Sequence, residues 1–206
     1  MIVEAPEFSR VTLDALRQPL ESGVITVQRA NVTARFPANV QLVLAANPCP
    51  CGRLSDAGCS CTPMARRRYL GRLSGPLLDR VDLQLAVRRI TAAGLRTTGE
   101  ASGRTTTASA ARLVREARSN AAERLAGTPW RRNGEVPGSW LRERARRPAP
   151  AALAALDQAL ERGAITMRGY DRVLRSAWTI ADLDGAVSPG RGEIGEALGY
   201  RTVVAA

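Results

Sequence analysis

A short stretch, Gln41-Leu42-Val43-Leu44-Ala45-Ala46, constrains the fold of this chain more than any other. It is almost wholly apolar and runs into Asn47-Pro48, a strand-to-loop junction. Such a run is the pattern of a strand buried on both faces of a parallel sheet. A sheet of that kind needs several strands and covering helices. Few are in sight. Met1-Ile2-Val3 reads as the end of one apolar strand, with Glu4 directly after it, and Val81 to Val87 reads as another. The piece is incomplete by its own logic. Its missing strands are expected from another chain, or from a longer protein of which these residues are a fragment.

Between those strands the pattern changes several times. Val11, Leu13, Leu16 and Leu20 predict a helix over Phe8 to Leu20, stopped by Gly23. Two alternating runs, Val24 to Arg29 and Val32 to Phe36, flank Ala30-Asn31 and predict a β-hairpin. Cys49 to Pro63 reads as a loop, and Met64 to Leu73 as a basic helix carrying Arg66, Arg67, Arg68 and Arg72. Gly94 to Thr107, rich in Gly, Ser and Thr, has the composition of a linker. Beyond it the period is helical: Ser109 to Ala126, Ser139 to Arg146, Ala151 to Arg162, a helix capped by Thr166, and Glu193 to Tyr200. The expected fold class is α/β plus all-α. An incomplete parallel sheet with a hairpin insert occupies 1–90, a linker 91–107, and a helical domain 108–206.

Two absences restrict the chemistry. The chain holds 30 basic residues against 19 acidic ones, a net charge of +11, and every basic residue is arginine. Without histidine there is no Ser-His-Asp or Cys-His machinery and no histidine metal ligand. Without lysine there is no Schiff base, and these residues hold no phosphate-binding G-x-x-x-x-G-K-[ST] loop. The positive charge favours anionic partners, DNA among them. No apolar run approaches the ~18 residues of a membrane span, and no secretory signal is visible. A cytoplasmic chain with no membrane partner is expected.

Cys49, Cys51, Cys59 and Cys61 form a C-x-C-x7-C-x-C pattern. Four thiolates suit a closed tetrahedral Zn2+ site that tethers a long loop. Free thiols and disulfides are the alternatives. Gly190-Arg191-Gly192-Glu193-Ile194-Gly195 satisfies G-x-G-x-x-G, but Ser188-Pro189 precedes it rather than a strand, so it reads as a helix entry. Trp130-Arg131-Arg132 and Trp140-Leu141-Arg142 combine aromatics with arginines. They suit either stacking on bases or packing against the helices.

One series of segments resembles a known family. It runs Glu4-Ala5-Pro6-Glu7-Phe8, then Leu13 to Glu21, then Ala46-Asn47-Pro48-Cys49-Pro50-Cys51-Gly52, then Arg68 to Asp82. Gly169 to Arg175 and Thr179 to Leu183 continue it in the helical part. In order and content the series resembles the C-terminal part of the Mg-chelatase-like AAA+ ATPases of bacteria, the YifB/ComM family. The resemblance implies a truncated AAA+ core followed by a helical lid and C-terminal domain. It also implies ATP with Mg2+ as cofactor, once a P-loop half is present, and a partner: a homo-oligomeric ring or a separate N-terminal half. ATP hydrolysis needs a carboxylate to orient water, a polar group beside the γ-phosphate, and cations against the phosphoryl oxygens. By resemblance Glu4 is the Walker B glutamate, Asn47 sensor 1, Arg80 the arginine finger and Arg168 sensor 2. Two positions depart from the pattern: Val3 stands where the family has a Mg2+-binding aspartate, and Trp178 where it has arginine. With no P-loop lysine, the isolated chain is expected not to hydrolyse ATP. The ComM branch implies DNA branch migration in natural transformation, with Arg29 and Arg35 of the hairpin as candidate DNA contacts. A nucleic-acid-binding remnant without catalysis, or a truncated gene product, is the competing expectation.

Overall fold

The computed structural model describes residues 1–30, 32–53, 58–87, 105–143 and 146–202. The expected linker at 91–107 lies outside them except for its last residues. The chain divides into two compact units, Met1–Val81 and Asp82–Ala206.

In the first unit the two apolar segments meet as anticipated, but only briefly. Ile2 pairs with Leu44 in a parallel bridge. Ile2 donates to the Val43 carbonyl at 2.8 Å, Ala45 to Ile2 at 2.9 Å, and Ala5 to Ala45 at 2.9 Å. No third strand joins them among the described residues, and Val43 remains 46% exposed. The expected helix from Phe8 to Leu20 is instead two short ones, α1 (Arg10–Ala15) and α2 (Arg17–Ser22). Ser9 caps α1 by accepting from the Thr12 amide. Pro19 has no N–H to return to the Ala15 carbonyl, so the helix breaks one turn before it. Gly23 ends α2 in the left-handed conformation, as its position suggested.

The hairpin is present as β1 (Val24–Arg29) against β2 (Val32–Pro37), with Ile25 opposite Phe36, Val27 opposite Ala34 and Arg29 opposite Val32. Directly paired residues share a face and alternate residues change it. Ile25, Val27, Arg29, Val32 and Phe36 therefore line one face, while Thr26, Gln28, Thr33 and Arg35 line the other. Further on, Thr62 caps α3 (Pro63–Leu70), which stops before the expected Leu73. Ser74 caps the unanticipated one-turn α4 (Gly75–Leu78). Tyr69, Leu77, Leu13 and Ala5 are among the buried residues of this unit, with Pro6, Ala38, Cys49 and Ser74.

The second unit is helical. Its elements are α5 (Thr107–Arg124), α6 (Gly138–Leu141), α7 (Pro150–Glu161), α8 (Met167–Asp184) and α9 (Arg191–Thr202). Thr166 caps α8 by accepting from the Gly169 amide. The spacing read from Tyr170, Val173, Leu174, Ala177 and Ala181 buries that face of α8 against α5, α6 and α9. Leu125, Val136, Leu141, Leu153, Leu156 and Ile194 complete the core. The α6 helix is shorter than the expected Ser139 to Arg146. Residues 82–87 form no strand; their one backbone tie is the Gln84 amide donating to the Tyr200 carbonyl at 2.7 Å. A strand needs a ladder partner to exist, and none is supplied among the described residues.

Both Trp130 and Trp140 pack partly buried against the core, edge to face with ring centroids 5.2 Å apart. Trp178 is buried too, with the Arg124 guanidinium 4.2 Å above its ring. Arg124 also donates to both oxygens of Asp182, which is 4% exposed, and Asn133 donates to the same carboxylate. The G-x-G-x-x-G segment is a helix entry: the Gly190 amide donates to Glu193 at the start of α9. No helix among the described residues is long and apolar enough to cross a membrane.

Candidate functional site

The site is built at the ends of the two bridged segments. Parallel pairing brings the residues following Ile2 and Leu44 to the same end of the pair. Glu4 and Asn47 are those residues, and both are exposed. Glu4 has φ 53° and ψ 45°, making it the one non-glycine residue with positive φ among the described residues. Side chains adopt that conformation at a cost of ~1–3 kcal/mol, and such strain collects at functional sites. Its carboxylate makes no capping bond to the short 3-10 turn Ala5–Glu7 that follows.

Two further residues frame this end. Tyr69 of α3 is buried and lies against the Asn47 backbone. Burial pushes its phenol above the ordinary range, and the negative charges of Glu7 and then Glu4 add to the rise. Arg72 donates to the Pro6 carbonyl at 2.6 Å and lies 3.7 Å from the Glu7 carboxylate. Sequence reasoning assigned neither a role, although both lie within the Arg68-Tyr69-Leu70-Gly71-Arg72 segment. Tyr69 lies in the last turn of α3 and Arg72 just past its end, so no helical spacing in the sequence pointed to the pair.

Arg80 belongs to the same unit but faces inward. Its side chain is only 8% exposed; it donates to the Glu21 carboxylate and, at 2.8 Å, to the Pro76 carbonyl. Arg168 lies in the other unit, exposed in the first turn of α8. Arg29 and Arg35 are both exposed, yet on opposite faces of the hairpin.

The four cysteines converge. All are free thiols, and their sulfurs lie within 4.8 Å of one another. The Cys49–Cys51 separation is 3.3 Å; Cys59 lies 3.5 Å from each. Thiolates around a tetrahedral Zn2+ at ~2.3 Å stand about 3.8 Å apart, so the set fits that ion with little adjustment. Cys49 is buried and the other three are wholly or partly accessible. Burial lifts the Cys49 thiol to about 11, with its hydrogen bonds to Cys51 and Cys59 adding to the rise. A backbone hydrogen bond from Arg53 brings Cys51 down to about 6, assisted by Cys49. At Cys61 a backbone hydrogen bond from Cys51 lowers the thiol but is outweighed by the Cys51 side chain and burial, so it is raised.

Two family models match in tandem. The one described as magnesium chelatase, subunit ChlI, covers residues 1–95, and its C-terminal counterpart covers residues 104–201. An uncharacterized protein of Mycobacterium tuberculosis is 46% identical over 198 residues, 96% of this chain and 38% of the relative. Competence protein ComM of Haemophilus influenzae is 39% identical over 203 residues, 98% of this chain and 38% of ComM. The uncharacterized protein YifB of Escherichia coli is 35% identical over 200 residues, 97% of this chain and 38% of YifB. The chain therefore spans well under half the length of the relatives it matches.

Proposed function

Because the chain belongs to the magnesium-chelatase-like family that includes ComM and YifB, we propose that it is the Walker B-to-lid portion of an AAA+ motor. The motor hydrolyses ATP and remodels DNA. The observation that carries this is the placement of Glu4 and Asn47 at one end of a parallel strand pair, with Glu4 in a strained backbone conformation. Bound MgATP supplies the phosphoanhydride and the cation that shields it. Glu4 orients and polarises the attacking water. Asn47 holds that water or the γ-phosphate by its amide. Arg168 adds positive charge from the lid helix. Arg80 serves the nucleotide of a neighbouring subunit in a ring, and must exchange Glu21 for phosphoryl oxygens to do so. Val3 offers no oxygen to Mg2+, so the metal is held by the nucleotide and the P-loop half.

That half comes from the rest of a longer chain or from a separate polypeptide, and the strand pair with its exposed Val3 and Val43 is where it adds. The similarity to competence protein ComM supports the DNA branch-migration type. Arg29 at the hairpin tip and Arg35 on its polar face are the DNA contacts. A structural Zn2+ in the cysteine cluster completes the cofactor set.

The chain alone should not turn over ATP. Mixed with a polypeptide that supplies the missing P-loop half, it should hydrolyse ATP, and Glu4→Gln should cut that rate about 100-fold or more. Turnover by the pure chain that disappears in Glu4→Gln, or turnover by the mixture that ignores it, refutes the proposal. In the same mixture, charge reversal at Arg29 and Arg35 should weaken DNA binding and flatten its salt dependence.

A further inference from the structure

The cysteine cluster lies immediately beside the residue assigned to the γ-phosphate, and a path of covalent bonds and contacts leads from one to the other. Cys49 follows Asn47 by way of Pro48, whose ring fixes its own φ. The chain then turns back: the Gly52 amide donates to the Cys49 carbonyl at 3.0 Å, and Gly52 takes a φ of +68°. That left-handed geometry brings Gly52 against the Asn47 amide, where an added methyl would lie 3.7 Å from Nδ2. On the far side of the loop Cys59 and Cys61 lead directly into Thr62, the cap of α3. Tyr69, near the other end of α3, lies against the Asn47 backbone, a packing contact rather than a hydrogen bond. The circuit runs from Asn47 through Cys49 and Cys51, across the sulfurs to Cys59 and Cys61, along α3, and back to Asn47. The sulfur-to-sulfur step is held only by weak thiol contacts of 3.3 to 3.5 Å.

We propose that Zn2+ held by Cys49, Cys51, Cys59 and Cys61 closes this circuit and thereby positions Asn47. The metal is a positioning element for the nucleotide-facing amide, beyond being a tether for the loop. Removing it opens the circuit at one joint and leaves Asn47 attached only through its strand and Tyr69. The catalytic meaning of this clamp rests on Asn47 facing a nucleotide, as proposed above; the clamp itself is a property of the chain and is tested without nucleotide.

The test uses the full 206-residue chain. Purified without chelator, it should carry close to one zinc per chain. Replacement by Co2+ should give the visible absorption of a tetrahedral tetrathiolate site. Stripping the zinc with a chelator should speed amide hydrogen exchange at residues 45–52 on the order of tenfold, with α8 as the unchanged internal standard, and added zinc should reverse it. Tyr69→Phe should keep the zinc and still speed exchange at 45–52, since it cuts the circuit at a different joint. That arm also stands in for cysteine variants that fail to fold. A chain that takes up neither zinc nor cobalt overturns the proposal. So does one that binds metal but exchanges at 45–52 identically with and without it. An assembled motor indifferent to Glu4→Gln would instead refute the nucleotide site and leave the clamp standing.

Discussion

Around α8, Leu153, Leu156, Val173, Leu174, Ala177 and Ile194 are fully buried, whereas in Met1–Val81 Val3, Ile25, Val27, Val32, Phe36, Val40 and Val43 all stand exposed. Composition does not explain the contrast, since both units are rich in aliphatic residues. Geometry does. A helix satisfies its own backbone and needs only one packed face, which neighbours close in sequence can supply. A parallel strand needs partners on both edges and layers on both faces, and those come from distant sequence. The helical unit builds its core from neighbours close in sequence. The first unit keeps what is local, namely capped helices, a hairpin, a strand bridge and a thiol cluster.

The difference should appear most strongly in the cores. Leu174→Ala should cost about 2–5 kcal/mol of unfolding free energy in denaturant, while Val43→Ala should cost under about 0.5 kcal/mol. An equal cost at Val43 would mean that the strand pair is already covered, and would break the comparison.

Glycine substitutions sharpen it at a smaller scale. At Gly138 a methyl would collide with the Asp171 carboxylate, which pairs with Arg142. Gly138→Ala should destabilise the helical unit by about 1–3 kcal/mol. At Gly75 nothing lies within 4 Å of an added methyl, so Gly75→Ala should be close to neutral. Matched thermal melts of the two variants decide this.

The smallest effect is a pH dependence confined to the helical unit. Burial, with a hydrogen bond to Asp157, pushes the Tyr170 phenol up to about 12. An unfolded tyrosine ionises near 10. The unfolded state therefore loses its proton first, so stability is intact below pH 10 and falls as pH rises from 10 to 12. Tyr170→Phe should flatten that fall. If it leaves the alkaline profile unchanged, Tyr170 is not the group responsible.

Much of the helical unit was legible in the sequence because its information is local. The Thr166 cap and the spacing from Tyr170 to Ala181 specify α8 almost to the residue. In the first unit legibility ended at long-range contacts. The broken helix at Leu16 was foreshadowed by Pro19, but the absence of a strand at 82–87 was not, because an apolar alternating run looks the same with or without a ladder partner. Among the site residues, Glu4 and Asn47 were named from their segments. The inward turn of Arg80 toward Glu21, and the parts played by Tyr69 and Arg72, depended on residues tens of positions away.

By itself the sequence determined the order of the elements, the helical period of the second unit, the four-cysteine spacing and the exclusion of lysine and histidine chemistry. These follow from which residues stand near one another along the chain. Only the tertiary structure decided the left-handed backbone at Glu4, the separation of Arg29 and Arg35 onto opposite hairpin faces, and the convergence of the four cysteine sulfurs. Each of those depends on a contact or a register between segments that the chain must fold to bring together, and no local preference encodes it.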